Sequence, residues 1–422
     1  MRLPRFVKDS GTLISGSVAA QAVALLAYLL LTRLFTPDDF GKFNVFYSYI
    51  EVLVILSTLK YELAVVAAPA DREAAAVARH ALRLNAIVSL VLLAAISLLY
   101  LLGWLPVKLQ AVGRISLLIP FLVFFCGTNR VYEMLFNRYR QFRQSALSQV
   151  VNALSSSLLK ILFGLTRRMP VLGLPLGTVL GQMCGNANYR LRLHSLHLPQ
   201  TTRQEERQAA RRHIDFARYT APKDWLNSFS ANLPFLWLAM YFDDAAIGLF
   251  GLALTFTFRP VNIITTAFEN VFFVRVADKV KRRQPILSDI NRFLVLLNAA
   301  AIPLLIVAYS VASPVFGFVF GKEWSQCGDY VRLLLPWMWV MLSTNSLMFM
   351  ASVFGRQKYE FLFSLVLLCL RAAAIAVGLR MGSFEAAILL FSLSTAAVNL
   401  ALGIWYYTLA AHYEEKLKTL KP

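Results

Sequence analysis

The segment Ile247–Val274, IGLFGLALTFTFRPVNIITTAFENVFFV, is long, aromatic and nearly free of charge, so it reads as a membrane-spanning helix. Arg259 interrupts it near the middle, and Pro260 follows. Arg259 lies roughly 20 Å along the helix, in a hydrocarbon core about 30 Å thick. Neither surface is in easy reach of the side chain. A guanidinium at that depth costs at least about 2.5–3.5 kcal/mol unless it meets water, a carboxylate or an anionic ligand. Pro260 removes a helix hydrogen bond and invites a kink. The segment therefore holds either a structural Arg–Glu pair inside a bundle or an anion site in a water-filled cavity.

The rest of the chain supplies the bundle. Of 422 residues, 58% are hydrophobic and 13% aromatic, while only 15% are charged, which marks an integral membrane protein. Cys126, Cys184, Cys327 and Cys369 show neither a disulfide framework nor metal-ligand spacing. The first apolar run ends in Arg33 without a small-residue cleavage site and is read as a retained helix. Twelve transmembrane spans are predicted. In the first half they lie near 13–34, 43–67, 84–105, 115–137, 146–165 and 171–188. In the second half they lie near 225–242, 247–274, 293–320, 331–354, 359–379 and 384–409.

The formal charge of +19 suggests nucleic acid at first sight, but its placement follows topology. One side of the membrane gathers Arg2, Arg5, Lys8, Arg72, Arg79, Arg83, Arg138, Arg140, Arg143, Arg356, Lys358, Lys416, Lys418 and Lys421. The same side has the connector cations from Arg190 to Lys223 and the loop cations Arg275, Lys279, Lys281, Arg282, Arg283 and Arg292. The other side holds only Lys42, Lys108, Arg114, Arg167, Arg168, Lys322 and Arg380. Both termini are thus expected in the cytoplasm, with no nucleic-acid partner and a modest affinity for anionic lipid. The outer loops are too short to house a catalytic domain.

Two stretches repeat. LFTPDDFGKFNVF (Leu34–Phe46) follows the first span and MYFDDAAIGLFGLALTF (Met240–Phe256) follows the seventh. Each joins an aspartate pair, a glycine and an aromatic helix, as Asp38, Asp39 and Gly41 and again as Asp243, Asp244 and Gly248. Asp is expected to cap the new helix and Gly to permit the turn. Span four ends in LFNRYRQF and span ten in VFGRQKY, a second echo. Six spans repeated by six more give halves of equal orientation, related by an axis along the membrane normal. The expected domains are a six-helix lobe (1–190), a cytoplasmic connector (191–223), a second six-helix lobe (224–410) and a cytoplasmic tail (411–422).

Four further stretches are TRLFTPDDFGKF (Thr32–Phe43), LKYELAVVAAPADREAA (Leu59–Ala75), IGLFGLALTFTFRPVNIITTAFENVFF (Ile247–Phe273) and FGFVFGKEWSQCGDYVRLLLP (Phe316–Pro336). In order and spacing they resemble the Wzx-type polysaccharide-lipid flippases of the multidrug/oligosaccharidyl-lipid/polysaccharide (MOP) exporter superfamily. The resemblance implies an all-α, MATE-like fold of two six-helix lobes in a V around a central cationic cavity. It also implies alternating access and a substrate of undecaprenyl-diphosphate carrying a short glycan, turned outward across the bacterial inner membrane. Related lipid II flippases carry a cavity arginine well inside the first helix. Here only Arg33 is present, at its outer end, which favours an O-antigen, capsule or protein-glycan repeat unit. No cofactor is expected. Membrane lipids, a glycan polymerase and chain-length proteins are the implied partners of a monomeric transporter.

The candidate diphosphate-binding cations are Arg259, Arg130, Lys160, Arg371 and Lys60, and the candidate coupling carboxylates are Glu51, Glu133 and Glu269. Four unpaired cations (Arg130, Lys160, Arg259 and Arg371) would cost on the order of 10 kcal/mol, so most must be hydrated or paired. Arg130 and Glu133, three apart, share a helix face and can pair. Glu51 lies ten residues after Gly41 and Arg259 eleven after Gly248, so the repeat puts them at similar depth in equivalent helices. Glu51 is then expected to compensate Arg259 until the diphosphate arrives. Phe250, Phe256, Phe258 and Phe268 are candidates for stacking on sugar, with helix packing as the plainer reading. The five histidines are expected to be solvated and the connector to form a surface helix. Against the flippase stand a multidrug or metabolite antiporter of the same fold, a membrane glycan polymerase, and a scaffold.

Overall fold

A computed structural model describes residues 5–105, 113–166, 170–356 and 358–419. Within these, the side chains of residues 5–15, 114, 170, 263–264, 266–271, 274–275, 277, 352 and 358 lie outside the described set. Of the loop cations invoked for topology, the side chains of Arg2, Arg5, Lys8, Lys108, Arg114, Arg167, Arg168, Arg275, Lys358 and Lys421 are therefore not described.

The described elements are helical. The first helices are α1 (Arg5–Leu34), α2 (Pro37–Thr58), α3 (Tyr61–Ala67), α4 (Asp71–Leu101), α5 (Ile119–Arg138), α6 (Phe142–Thr166) and α7 (Pro170–Arg192). A short α8 (Arg203–Arg212) precedes α9 (Ala221–Trp237) and the long α10 (Asp244–Lys281). There follow α11 (Leu287–Phe320), α12 (Cys327–Asn345), the short α13 (Phe349–Val353), α14 (Lys358–Arg380) and α15 (Phe384–Thr419). They fall into two compact units, Met1–Gly248 and Leu249–Pro422. In the first, α6 packs along α1 and α7, α4 against α5, and α2 against α9 and α5. In the second, α15 packs against α12 and α14, and α11 against α12.

Ten helical stretches among the described residues are long and apolar enough to cross a membrane. The two predicted spans outside that group are the sixth and seventh, which flank the connector. Helix α7 carries Gln182, Asn186 and Asn188 with Pro175 inside it, and α9 is only 17 residues long, extended by a 3-10 turn at Leu238–Met240. The second predicted span is not one helix. It breaks at Leu59 and Lys60, which both take left-handed backbone (φ 46° and 62°) between α2 and α3.

The start of α2 is fixed locally. Thr36, not an aspartate, is the N-cap. Its hydroxyl accepts from the Asp39 backbone N–H, and Asp39 Oδ2 accepts from the Thr36 N–H at 3.0 Å, a reciprocal capping box. Asp38 pairs with Lys42 at 2.6 Å. Gly41 and Gly248 are both helical, so neither serves a left-handed turn. They serve close approach: a Cβ on Gly41 would run into the Asp244 carbonyl, and one on Gly248 would run into the Pro37 carbonyl. Asn44 Nδ2 donates across the same contact to the Ile247 carbonyl at 3.5 Å.

The connector is docked rather than loose. Thr202 and Glu205 form a second capping box at the start of α8. Hydrogen bonding from the Thr202 backbone holds the Glu205 carboxyl below its ordinary pKa, helped by nearby Arg72. Ala209 and Ala210 are buried against α3 and α4, Arg83 pairs with the buried Glu206, and Tyr61 Oη donates to the Ala210 carbonyl at 3.3 Å. Small residues on α4 (Ala74, Ala78, Ala81) admit this approach. Two histidines depart from expectation: His213 Nε2 lies 3.2 Å from Glu73, and the His80 ring packs edge-on against Tyr61.

Candidate functional site

The intramembrane charges divide by what their helices present to them. On α2, the exposed Glu51 carboxylate accepts from Asn232 Nδ2 at 3.0 Å, and Ser228 Oγ donates to the Glu51 carbonyl at 3.0 Å. Ser228 and Asn232 are four apart on α9, one face of a helix, so a polar stripe on the seventh predicted span receives Glu51. That stripe is legible as Ser-x-x-x-Asn in an apolar run, a signal the charge-centred reading passed over. One turn before it, Asp224 of α9 pairs with Lys60 at 2.8 Å. Lys60 is thus an ion-paired residue at the α2–α3 break, with its side chain 16% exposed.

On α5, Arg130 is half-buried, and no ion pair joins it to Glu133 among the described residues. The expected local pair is replaced by a neutral partner: Glu133 accepts from Gln149 Nε2 of α6 at 2.9 Å. Arg130 and Glu51 both lie within electrostatic reach of Cys126, which brings the α2 carboxylate and the α5 guanidinium to the same neighbourhood. Next to them, Asn129 Nδ2 donates to Gln182 Oε1 of α7, and Asn186 Nδ2 to the Phe125 carbonyl at 2.9 Å. Lys160 of α6 sits over the Phe43 ring, 5.0 Å from its centroid.

In the second unit, Arg371 is interior. It is 5% exposed, its Nε donates to Thr395 Oγ1 at 2.9 Å, and its guanidinium lies 5.3 Å from the Trp337 ring and 4.8 Å from that of Phe391. An arginine so enclosed by α12, α14 and α15 is held by ring faces and a hydroxyl. Arg259 differs. It is half-buried, and among the described residues no hydrogen bond or ion pair engages it. Pro260 beside it is exposed within the helix. Glu269, a carboxylate named as its companion on α10, lies with its side chain outside the described residues, as does Phe268. The other aromatic residues of α10 pack helices: Phe250 against Phe384, Phe256 against Phe316 and Phe320, and Phe258 against Trp337 at 4.0 Å.

The glycine contact gives the register in which the repeat expected from the sequence would align α2 with α10. Gly41 meets Asp244 and Gly248 meets Pro37, so one offset relates Gly41 to Gly248 and Pro37 to Asp244. The same offset relates Glu51 to Phe258 and Val52 to Arg259. The two charges differ by one residue in that register, about 100° around the helix axis.

Comparison with known proteins fits this architecture. The model of the family described as "Polysaccharide biosynthesis protein" matches residues 30–329. No curated protein matches the sequence. Among solved structures, an inward-facing multidrug resistance MATE family transporter of the MOP superfamily aligns with a TM-score of 0.71 at 13% identity, over 95% of this chain and 96% of that one. The lipid II flippase MurJ in an inward closed conformation aligns at 0.71 and 12% identity, over 96% and 92%. A MOP superfamily transporter from Pyrococcus furiosus, whose binding pocket is described as reversed in polarity, aligns at 0.67 and 14% identity, over 97% and 96%. At these identities the likeness is one of fold. The family match covers most of the chain, and this multi-pass, all-helical membrane protein with the MOP fold belongs to the polysaccharide biosynthesis protein family.

Proposed function

We propose that the chain flips undecaprenyl-diphosphate-linked oligosaccharide repeat units from the inner to the outer leaflet of the bacterial inner membrane by alternating access. In this reading it has twelve spans in two parallel six-helix lobes, both termini are cytoplasmic, and Arg259 takes the diphosphate. The observation that carries it is Arg259 itself: a permanently charged, half-buried fork within a span-length helical stretch, with no partner among the described residues. A planar guanidinium suits phosphate oxygens two at a time, and the family match supplies the glycan context. Arg130 and Lys160 add positive potential. Glu51, hydrogen-bonded by Asn232, is the carboxylate whose protonation or ion binding couples the cycle.

A multidrug or metabolite antiporter of the same fold that carries cations calls for an acidic or aromatic lining, which the cationic residues oppose. A glycan polymerase calls for a large outer loop or a carboxylate cluster. The test is a deletion strain. Lipid-linked glycan should accumulate on the inner leaflet, and the wild-type gene should clear it. Arg259→Ala should fail to do so, and Arg259→Lys should clear it poorly. Full clearance by Arg259→Ala overturns the role given to that residue, and absence of any accumulated glycan overturns the flippase reading.

A further inference from the structure

The junction between α2 and α3 carries strain that transport chemistry at Arg259 and Glu51 leaves unexplained. Leu59 and Lys60 both lie in the left-handed region, at φ 46° and 62°, a conformation that costs any residue with a Cβ. Two buried oxygens flank them without a hydrogen-bond partner among the described residues. These are Thr58 Oγ1, on the last residue of α2, and Glu62 Oε2, in the first turn of α3. Thr58 is 0% and Glu62 3% exposed, so both are shut off from solvent. An unmet buried polar atom is costly, and a carboxylate oxygen more so than a hydroxyl. The break is clasped from outside: Lys60 Nζ lies 2.8 Å from Asp224 Oδ2 of α9. All these residues belong to the unit Met1–Gly248.

Thr58 and Glu62 are four residues apart. In an unbroken helix they would stand one turn apart on one face, where the threonine hydroxyl can donate to the carboxylate and satisfy both oxygens at once. The same straightening would return Leu59 and Lys60 to ordinary helical backbone. Lys60 is the N-cap residue of α3 and has no side-chain acceptor for the first N–H groups of that helix. A continuous helix would offer them the carbonyls of α2. Strain, orphaned oxygens and an uncapped start thus oppose the break, and the Lys60–Asp224 pair holds it. We propose that α2–α3 is a two-state hinge, broken while Asp224 holds Lys60 and a continuous helix once that pair opens. Helix α9 works the hinge: it carries Asp224, and its Ser228 and Asn232 also hold Glu51 of α2. The far end of α3 is anchored, since Arg138 of α5 donates to the carbonyls of Val65 at 3.1 Å and Ala68 at 2.6 Å. The movement is therefore one of α2 relative to α3. Such a hinge requires no particular substrate and stands apart from the flippase reading.

The test is dipolar electron paramagnetic resonance on the purified full chain, with Cys126, Cys184, Cys327 and Cys369 replaced by alanine. Nitroxides go on Leu56→Cys and Ala67→Cys, both exposed and on opposite sides of the break. Eleven residues of unbroken helix span roughly 16 Å, and the broken junction holds its ends closer. With Lys60 intact the shorter distance should dominate. Lys60→Ala removes the latch and favours helix, and should raise the fraction at the helical distance at least fivefold. Lys60→Gly loses the same ion pair but takes left-handed backbone freely, and should keep the shorter distance. Adding Thr58→Val to Lys60→Ala removes the hydroxyl that favours straightening and should reverse most of the shift. Melting temperatures check that each variant is folded; should Lys60→Ala be unstable, Asp224→Asn removes the same pair and takes its place. An unchanged distance in both Lys60→Ala and Asp224→Asn, or a helical distance already dominant with Lys60 intact, overturns the hinge. Equal shifts in Lys60→Ala and Lys60→Gly report a loosened junction rather than a straightened one and also overturn it. A shift that Thr58→Val leaves in place overturns the pairing of Thr58 with Glu62. None of these distances depends on transport, so the flippase reading stands or falls separately.

Discussion

Arg371 and Arg259 are the same side chain on apolar helices, and their surroundings differ. Arg371 has two ring faces and a hydroxyl around it and is almost fully buried, so its charge is already satisfied by the protein. Each desolvated cation–π contact contributes about 2 kcal/mol, so Arg371→Ala should destabilise the second unit by several kcal/mol, with the cavity left between Trp337 and Phe391 adding to the loss. Thermal unfolding of the purified protein should report this as a large fall in Tm, while lipid-linked glycan clearance per folded molecule stays near normal. Arg259→Gln should do the reverse, with stability nearly kept and transport lost. Glu51 makes a third case. Its described partner is a neutral amide, which tolerates either protonation state, as a coupling carboxylate requires. Glu51→Gln is expected to remove the pH dependence of transport, and an unchanged pH profile would put coupling elsewhere. The sequence made all these charges visible, but not their sorting. Ring faces from Trp337 on α12 and Phe391 on α15 reach Arg371 only through tertiary packing, and no local spacing announces that.

Helix boundaries were legible wherever hydrophobic length decides them and illegible where backbone geometry does. The long apolar runs of α11, α14 and α15 contain the predicted spans; α14 matches its span within a residue at each end, whereas α11 starts six residues earlier and α15 runs ten residues further, into the stretch predicted as a tail. The break at Leu59–Lys60 does not show in the sequence, since no Gly or Pro marks it. It is stabilised by an ion pair from Lys60 to Asp224, distant in sequence. Spans six and seven were drawn by apolar content, yet the amides of α7 and the brevity of α9 set them apart. Those amides serve the interior: Gln182 and Asn186 hold α7 to α5. The connector was expected as a surface helix, and its capping box was readable as Thr-x-x-Glu, but its seat on α3 and α4 needed the alanine stripe of a helix far upstream. Glu205 gives the pH behaviour of that seat. Its folded pKa is depressed, so its contribution is present above its unfolded pKa and is lost as pH falls through the folded value. Hydrogen exchange across 203–212 should therefore quicken on acidification below the ordinary carboxylate range. Thr202→Ala, which removes the cap, should quicken it already at neutral pH.

At the scale of the whole chain, the decisive feature is the reciprocity of the two glycines. Within the unit Met1–Gly248, Gly41 faces the Asp244 carbonyl and Gly248 faces the Pro37 carbonyl, so the starts of α2 and α10 cross closely and each glycine bears on the other helix's first turn. The sequence displayed the repeat but assigned its glycines to turns; they are helical and small because two backbones cross there. Alanine at either position gains up to about 1 kcal/mol of helix propensity, while forcing a methyl into the facing carbonyl costs typically about 1–3 kcal/mol. The clash should win, and Gly41→Ala and Gly248→Ala should each lower stability. Because both methyls press on one crossing, parting the helices for the first relieves the second. The double variant should therefore lose clearly less than the sum of the singles, with a coupling of at least about 0.5 kcal/mol. Denaturant or thermal unfolding of the four proteins closes this cycle. Single losses that simply add would mean that the two contacts are independent, and the shared crossing of α2 and α10 would have to be abandoned as their common cause.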